Sequence, residues 1–395
     1  MHLVNTKRAK LIMEQSGVDC VIGTSLQNIQ YLTGFTSFLK QVSPATTLFG
    51  LYSDSESPKV ALVAPYSEAD VIVASKTNVE DVKLYGSFPL ELSYRNLEAE
   101  EKNLYELCSH QASPDAPTAL VELLHDFGLD SSSIALDESG LPYGMFEKVC
   151  KMLPKAKVVP GSKLLSQVRM IKTQNEIEKL SNVVSLTEKA MKSAAELIRK
   201  GQSTFAIAKE LERIETENSG KPVFTVVASG SYRAFPNALP SNKRLSEWDL
   251  VRFDVGCSLQ GYCSDLGRTI AVDKVKKEIL EYYKATLMGL DVAIDHVVPG
   301  ARASDIYNIA VETVRKNGIS KYRRHHTGHG IGMEVYDPPS ISPNDNTILE
   351  EGMVLNLETP YYELGFAGLI VEDCMVVRKK HPELLSKLPR VLDGF

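Results

Sequence analysis

Four carboxylates in the C-terminal third form two mirror-image pairs, and this arrangement constrains the chain more than any other feature. Strand-type residues surround Asp254, stop at a break near 259–261, and resume around Asp265. A fold midway between Leu259 and Gln260 would place the two aspartates directly opposite each other. Because directly opposed like charges destabilise antiparallel strands, such a hairpin requires a neutralising cation.

The same pattern recurs further along the chain. Glu358 and Glu372 are equidistant from Gly365 and lie in strand-type stretches on either side of it. A segment rich in histidine and glycine, 325–339, separates the two predicted hairpins, and its glycines disfavour a regular helix. One imidazole and four carboxylates form an oxygen-rich set that suits Mn²⁺, Fe²⁺, Co²⁺ or Zn²⁺ better than a cysteine-rich structural zinc site. The sequence therefore predicts a metal site.

The length of the chain and the order of its elements predict two domains. A chain of 395 residues exceeds the usual size of one hydrophobic core. In the first ~160 residues strands alternate with helices, which is typical of an α/β unit. We place the boundary after residue 160. Two pairs of helices are predicted beyond it, at 173–200 with 204–217 and at 276–297 with 303–317. Strands follow each pair, which indicates a duplicated unit with one carboxylate hairpin in each half.

Composition excludes several functional classes. The net charge of −6 argues against non-specific binding to nucleic acid. No stretch approaches the ~20 apolar residues that span a bilayer, and the N-terminal stretch lacks the pattern of a secretory signal. The six cysteines include no CxxC pair, which fits reduced thiols. We expect a cytoplasmic protein with neither nucleic acid nor membrane as a partner.

The candidate ligands lie in a specific set of motifs. In chain order they are Asp254, Asp265, His329, Glu358 and Glu372. Their contexts, Phe-Asp-Val-Gly, Ser-Asp-Leu-Gly-Arg-Thr, Gly-His-Gly-Ile-Gly and Val-Glu-Asp, resemble the five-ligand pattern of the pita-bread metallopeptidases. That family includes aminopeptidase P, prolidase and methionine aminopeptidase. The stretches 31–35 and 168–177 also resemble signatures of the prolidase, aminopeptidase P and creatinase branch, so the likeness covers nearly the whole chain.

This resemblance implies a fold and an assembly. The expected fold is an α+β pita-bread (creatinase/aminopeptidase-like) catalytic domain over 161–395, preceded by a smaller creatinase-like α/β N-terminal domain over 1–160. The branch also implies a homodimer.

The resemblance further implies how the ligands are used. Asp254 would chelate one divalent ion, Asp265 and Glu372 would bridge both ions, and His329 and Glu358 would bind the second. The ions are expected to be Mn²⁺, with Co²⁺, Zn²⁺ or Fe²⁺ as alternatives. Two such ions ~3.5–4 Å apart would activate a bridging hydroxide and polarise the scissile carbonyl. Glu358 would also carry the proton to the leaving amine.

The residues expected around the substrate depart from the family pattern. His325 matches one of three histidines that usually hold the substrate, whereas Tyr336 and Asn237 stand where the other two are expected, and Ile370 replaces a frequent arginine. Tyrosine and asparagine donate hydrogen bonds, but neither titrates near neutrality as histidine does. We predict catalytic and substrate-binding roles for His325 and Tyr336 and a substrate-binding role for Asn237. The alternatives are a pocket wall for Tyr336 and a packed imidazole for His325.

These features favour a dinuclear-metal hydrolase that cleaves a C–N bond of an amide or peptide, of the Xaa-Pro dipeptidase or aminopeptidase type. A first alternative is a non-peptide hydrolase or lyase on the same scaffold, such as a creatinase-like or ring-opening amidohydrolase acting on a small metabolite. A second is a non-catalytic binding protein. The complete ligand set argues against the second, because a pure binder has no need of a charged centre.

Overall fold

A computed structural model describes residues 4–53, 58–75, 77, 79–93 and 96–392. The chain divides into two compact units, Met1–Arg169 and Met170–Phe395. The predicted domain boundary after residue 160 precedes this division and remains a prediction. Within the described ranges, every helix is too short or too polar to span a lipid bilayer.

The first unit is built on a six-stranded mixed sheet in the order β4-β3-β2-β1-β5-β6. Its strands are β1 (Cys20–Gly23), β2 (Phe49–Ser53), β3 (Lys59–Pro65), β4 (Asp81–Tyr85), β5 (Ser133–Leu136) and β6 (Lys157–Pro160). Its helices are α1 (Thr6–Ser16), α2 (Leu26–Thr33), α3 (Phe38–Val42), α4 (Ala69–Ser75), α5 (Ala99–Ser109), α6 (Ala116–Asp126), α7 (Met145–Met152) and α8 (Ser162–Met170), which ends at the division. Leucines of α6 pack on one hydrophobic cluster and Ile29 of α2 on another. The predicted alternation of strands and helices is confirmed.

The second unit contains four long helices and three sheets among its described residues. The helices are α9 (Gln174–Ala195), α10 (Thr204–Glu217), α11 (Lys277–Asp295) and α12 (Ala303–Lys316). The strands are β7 (Lys221–Ala228), β8 (Leu250–Leu259), β9 (Tyr262–Cys263), β10 (Leu266–Ala271), β11 (Gly328–Gly330), β12 (Asp337–Ser340), β13 (Val354–Glu358), β14 (Tyr361–Glu363), β15 (Ala367–Leu369), β16 (Glu372–Val376) and β17 (Glu383–Leu384). One sheet has the order β10-β8-β7 with β9 on β8, the second β12-β11-β13-β16-β17, and the third β14-β15.

Two halves of the second unit share one order, in which a pair of helices is followed by strands. The junctions match in detail. Gly201 donates its backbone N–H to Leu245 O, and Gly300 donates to Leu349 O, both at 2.9 Å. Both glycines adopt positive φ angles, 85° and 91°, which favour glycine over other residues. The order predicted for a duplicated unit is therefore present in the structure.

The first predicted hairpin has a different register from the one expected. Asp254 lies opposite Gly267, so its predicted direct pairing with Asp265 is wrong. The reason is the turn, in which Gln260 and Gly261 both have positive φ, 54° and 84°, as in a type I′ turn. The true centre of the hairpin is one residue later than assumed, which shifts the register by two. A shift of two keeps both aspartates on one face, as diagonal neighbours.

The second hairpin has the predicted register. Glu358 on β13 lies directly opposite Glu372 on β16. Gly365, at the centre of the connection, has a positive φ of 80°, and β14 pairs with β15 on either side of it. The direct opposition of these two glutamates is confirmed.

The two hairpins touch through β10. Thr269 Oγ1 donates to Ile370 O at 3.0 Å and accepts from Ile370 N at 2.8 Å. A Cβ atom placed at Gly267 would lie 2.7 Å from the Ile370 side chain and 2.9 Å from Glu372 Oε2. Glycine is therefore required at 267 for this close approach, which brings the acidic faces of both hairpins together.

Candidate metal centre

Three of the proposed ligands converge on one point. Asp265, His329 and Glu372 each offer a ligand atom within 4.8 Å of the others, and all three are buried. His329 Nε2 lies 3.4 Å from Asp265 Oδ2. Asp265 Oδ1 and Glu372 Oε2 are buried and have no hydrogen-bond partner among the described residues. Buried carboxylate oxygens without partners are costly unless a cation occupies the space between them, so these residues fit a divalent metal ion.

The backbone fixes the orientation of His329. Its Nδ1 lies 3.0 Å from Gly330 O, a carbonyl that can only accept, so Nδ1–H donates there and Nε2 lies on the side of Asp265, where it could bind a metal ion. The flanking glycines allow β11 to approach its neighbours closely. A Cβ atom at Gly328 would lie only 2.2 Å from Asn356 O on β13.

Asn356 is a functional residue that the sequence analysis missed. Its Nδ2 donates to Glu372 Oε1 at 2.7 Å and to Asp265 O at 2.8 Å. The side chain is completely buried and leaves the second oxygen of Glu372 facing the cluster. The sequence could have indicated this residue, because Asn356 precedes Glu358 by two positions on a predicted strand and therefore shares its face.

The other two proposed ligands each face an arginine. Arg252 Nη1 lies 3.4 Å from Asp254 Oδ2, and Arg324 Nη2 lies 3.7 Å from Glu358 Oε1. His326 Nδ1 is 3.3 Å from the same glutamate oxygen. These contacts were also missed. The position of Arg252 could have been recognised from the sequence, because it is two residues from Asp254 on one strand and so shares its face. Arg324 precedes an irregular segment, and no sequence pattern indicates where its side chain lies.

Burial, together with neighbouring charges, raises the pKa values of Asp254, Glu358 and Glu372. Burial, with the charges of Asp265 and Glu358 added, raises the pKa of Asp254 to about 8. Burial and the same neighbours raise the pKa of Glu372 well above its usual value. Burial likewise raises the pKa of Glu358, although the charge of Arg324 opposes the rise. A bound divalent cation would reverse this effect and hold the carboxylates ionised at neutral pH.

The three residues predicted to handle the substrate are all exposed. Tyr336 is 66% exposed, and its ring centroid is 4.1 Å from that of His329. His325 is exposed and packs against His326, with the ring centroids 4.2 Å apart. Asn237 is exposed, and the loop that carries it is held by Arg252, which donates to the two preceding carbonyls. Ile370, which stands where the family pattern frequently has an arginine, is fully buried, and its side chain lies against Gly267.

Comparison with known proteins agrees with this architecture. Residues 178–379 match the family model described as metallopeptidase family M24, and residues 6–171 match the creatinase/prolidase N-terminal domain. A Xaa-Pro dipeptidase of Pyrococcus horikoshii is 31% identical over 333 residues, which cover 82% of this chain and 93% of the relative.

Solved structures show the same likeness. The crystal structure of the prolidase from Pyrococcus horikoshii OT3 superposes with a TM-score of 0.77 at 26% identity, covering 98% of this chain and 99% of that one. A Xaa-Pro dipeptidase structure from Bacillus anthracis, 23% identical with 98% of each chain covered, has a TM-score of 0.79 and supports the fold alone.

Fold and site together define a metal-dependent peptidase of the pita-bread fold with a creatinase-type N-terminal domain, as the sequence predicted. The chain belongs to metallopeptidase family M24.

Proposed function

We propose that this protein hydrolyses the C–N bond that precedes proline in Xaa-Pro dipeptides or short Xaa-Pro peptides. The observation that carries the proposal is the convergence of His329 Nε2 with unpartnered oxygens of Asp265 and Glu372. The similarity to a protein named Xaa-Pro dipeptidase supports the substrate class.

Asp265, His329 and Glu372 would hold a divalent ion, and Asp254 and Glu358 would complete the two-ion set that the family resemblance implies. We propose Mn²⁺ as the ion, with Co²⁺, Zn²⁺ or Fe²⁺ as alternatives that the same ligands accept. Divalent ions bound there supply Lewis acidity, which lowers the pKa of water and polarises a carbonyl oxygen.

The protein's own side chains would orient the substrate and move protons. Glu358 Oε1 would hold the proton that passes to the leaving amine, beside His326 and Arg324. Tyr336 remains a phenol at neutral pH and would donate a hydrogen bond from the side of His329. His325 and the amide of Asn237 would contact the substrate from the exposed side. We also propose a homodimer located in the cytoplasm, on the family resemblance and the reduced cysteines.

A hydrolysis assay tests the proposed function. Purified protein is stripped of metal, reloaded with Mn²⁺, Co²⁺ or Zn²⁺, and supplied with Xaa-Pro dipeptides and tripeptides. We expect turnover that disappears in Asp265→Asn and persists in Asp305→Asn, a matched change at an exposed aspartate of α12. Metal uptake without turnover would reject Xaa-Pro substrates and favour a small non-peptide amide. Absence of metal uptake would reject hydrolysis and favour the binding protein.

Metal removal should also destabilise the protein. An ion that binds only the folded state adds stability by mass action, about 2.7 kcal/mol at a hundredfold excess over Kd. We expect chelation to lower Tm by roughly 5 °C or more, and Mn²⁺ to restore it. Thermal unfolding followed by circular dichroism measures the shift. Asp265→Asn should show a much smaller response to either reagent, and an equal response would contradict this assignment.

A further inference from the structure

A small cavity of about 10 Å³ lies at the start of α10, and its described lining residues include none of the proposed metal ligands. One of them is Ser229, which is 7% exposed and whose Oγ has no hydrogen-bond partner among the described residues. A buried hydroxyl without a partner costs free energy unless a ligand or a water binds it. A volume of this size has room for one water-sized group. The cavity therefore accepts a single polar atom beside Ser229.

Two cationic side chains, Lys243 and Arg244, also line this cavity, and both are exposed. Lys243 Nζ donates to Ser231 Oγ, and Arg244 Nη1 donates to Gly201 O at 3.2 Å. Neither side chain pairs with a carboxylate among the described residues. Because an ammonium has three N–H groups and a guanidinium has five, most of these charged donors remain for a ligand.

The helix adds a positive field at the same place. α10 has 14 residues and carries no acidic residue in its first turn. Its first amide groups are already used, since Phe205 N donates to Ser241 O at 3.0 Å and Ala206 N donates to Ser203 Oγ at 3.2 Å. The helix therefore acts through the positive end of its dipole rather than through free N–H groups.

The charge of the lining favours an anion over a cation. One carboxylate, that of Asp249, lines the cavity, and its Oδ2 accepts from Ser246 N at 2.7 Å within its own turn. Two side-chain cations and the positive end of a helix outweigh this single negative charge. A metal ion is therefore disfavoured here, and a small anion is favoured.

We propose that this cavity anchors a site for a tetrahedral oxyanion, either inorganic phosphate or the phosphate group of a small monoester. One oxygen of the anion accepts from Ser229 Oγ inside the cavity, and the other oxygens accept from Lys243 and Arg244 at the surface. Ser229 precedes the segment 230–242, which carries Asn237, and Lys243 follows it. A bound anion would tie the two ends of that segment together.

Isothermal titration calorimetry with inorganic phosphate tests the site in the full-length, metal-loaded protein freed of unbound metal. We expect binding that weakens as salt is added, because exposed charges are screened. Arg244→Gln should weaken it about tenfold or more through loss of a charge-assisted hydrogen bond, and Ser229→Ala about 3- to 10-fold through loss of a neutral one. Lys209→Gln, which removes an exposed positive charge from the same helix, is the matched control and should bind as the wild type.

The candidate metal centre could also bind phosphate, and Asp265→Asn separates the two places. Binding that persists in Asp265→Asn and weakens in Arg244→Gln would support the proposal. Binding that disappears in Asp265→Asn and is unchanged in Arg244→Gln would place the anion on the metal ions and overturn it. If the wild-type protein binds no phosphate below about 10 mM, the cavity takes only water, and the proposal is overturned as well.

Hydrogen exchange followed by mass spectrometry checks the location. Phosphate should slow amide exchange in the segment 229–245 and leave the strands of the metal centre unchanged, whereas slowing confined to those strands would overturn the proposal. Glycerol 3-phosphate distinguishes the two sources of the anion. Affinity equal to or above that of phosphate would identify a monoester site, and affinity at least about tenfold weaker would identify a site for free phosphate.

Discussion

In the hairpin of β8 and β10, Asp254 lies opposite a glycine, whereas in the hairpin of β13 and β16, Glu358 lies directly opposite Glu372. The diagonal arrangement separates the like charges of the first hairpin, while the direct one brings those of the second together. Both hairpins gather two acids on one face, but the repulsion between the two carboxylates is larger in the second hairpin, where they are directly opposed.

The opposite faces of the two hairpins differ accordingly. Next to Glu372, Asp373 lies 2.7 Å from Arg268 Nη2 and 2.5 Å from Arg390 Nε. Arg268 also donates to Glu372 O, and Arg390 pairs with Asp291. The hairpin with the more crowded acids is therefore backed by a network of paired charges.

Behind the first hairpin lies an acid without such pairing. Glu215 of α10 has no exposed surface, and both carboxylate oxygens have no hydrogen-bond partner among the described residues. It is close enough to Cys257 on β8 that its charge, in addition to burial, raises the pKa of that thiol to about 12. Burial raises the pKa of Glu215 itself to about 8, with Glu212 adding to the rise. The comparison teaches that the acid behind the second hairpin, Asp373, is paired with arginines, whereas the acid behind the first, Glu215, is buried without a partner among the described residues and has a raised pKa.

The largest effect is expected where the hairpins meet. Gly267→Ala would place a Cβ within 2.9 Å of Glu372 Oε2 and push the two acidic faces apart. Displacement of ligands by about 1 Å can cost 100-fold in rate, so we expect hydrolysis to fall about 100-fold or more. Metal content by mass spectrometry should fall as well. Ser258→Ala, at the turn end of the neighbouring strand β8, is the control. Full metal binding by Gly267→Ala would contradict the requirement for glycine at this position.

Breaking the network behind the second hairpin should cost stability. Asp373→Ala leaves the buried guanidinium of Arg268 without its carboxylate, and we expect a loss of about 3–5 kcal/mol in the free energy of unfolding. Urea denaturation measures it. Asp305→Ala, on the exposed face of α12, should change stability by about 0.5 kcal/mol or less. A loss as small as this control's would mean that the network contributes no net stability.

The smallest effect concerns pH and the first hairpin. The folded-state pKa of Glu215, about 8, exceeds the ordinary 4.5, so between these values the folded protein holds a proton that the unfolded chain has released. Its free energy of unfolding therefore falls as pH rises through this range. Glu215→Gln should flatten that fall and stabilise the protein by about 2 kcal/mol above pH 8. Denaturation across pH measures the slope, Glu217→Gln serves as an exposed control, and an unchanged slope would exclude Glu215 as its source.

Local signals made much of the second unit predictable. α10 begins and ends where its pattern indicated, at Thr204 and Glu217, and Ser203 caps it. The register of the second hairpin followed from symmetry about Gly365, but the same reasoning failed at the first. There the chain turns at Gln260 and Gly261, and glutamine rarely adopts positive φ. The residue types alone therefore predicted a centre of the turn one residue too early.

The proposed ligands could be identified in sequence because acids are conspicuous in strand-type stretches. The groups that orient or oppose them were not conspicuous. Asn356 and Arg252 are recognisable only once the strands and their faces are known, and Arg324 only in three dimensions. Contacts between side chains from distant segments depend on how sheets pack, which no local pattern specifies.

The repeated junction at Gly201 and Gly300 has a consequence for how the protein matures. The first half supplies Asp254 and Asp265, and the second supplies His329, Glu358 and Glu372, so neither half alone carries the full proposed ligand set. Capture of the ion must therefore wait until the halves have docked. Metal uptake would therefore report the last step of assembly, because a nascent chain that has made only its first half carries two of the five proposed ligands, Asp254 and Asp265.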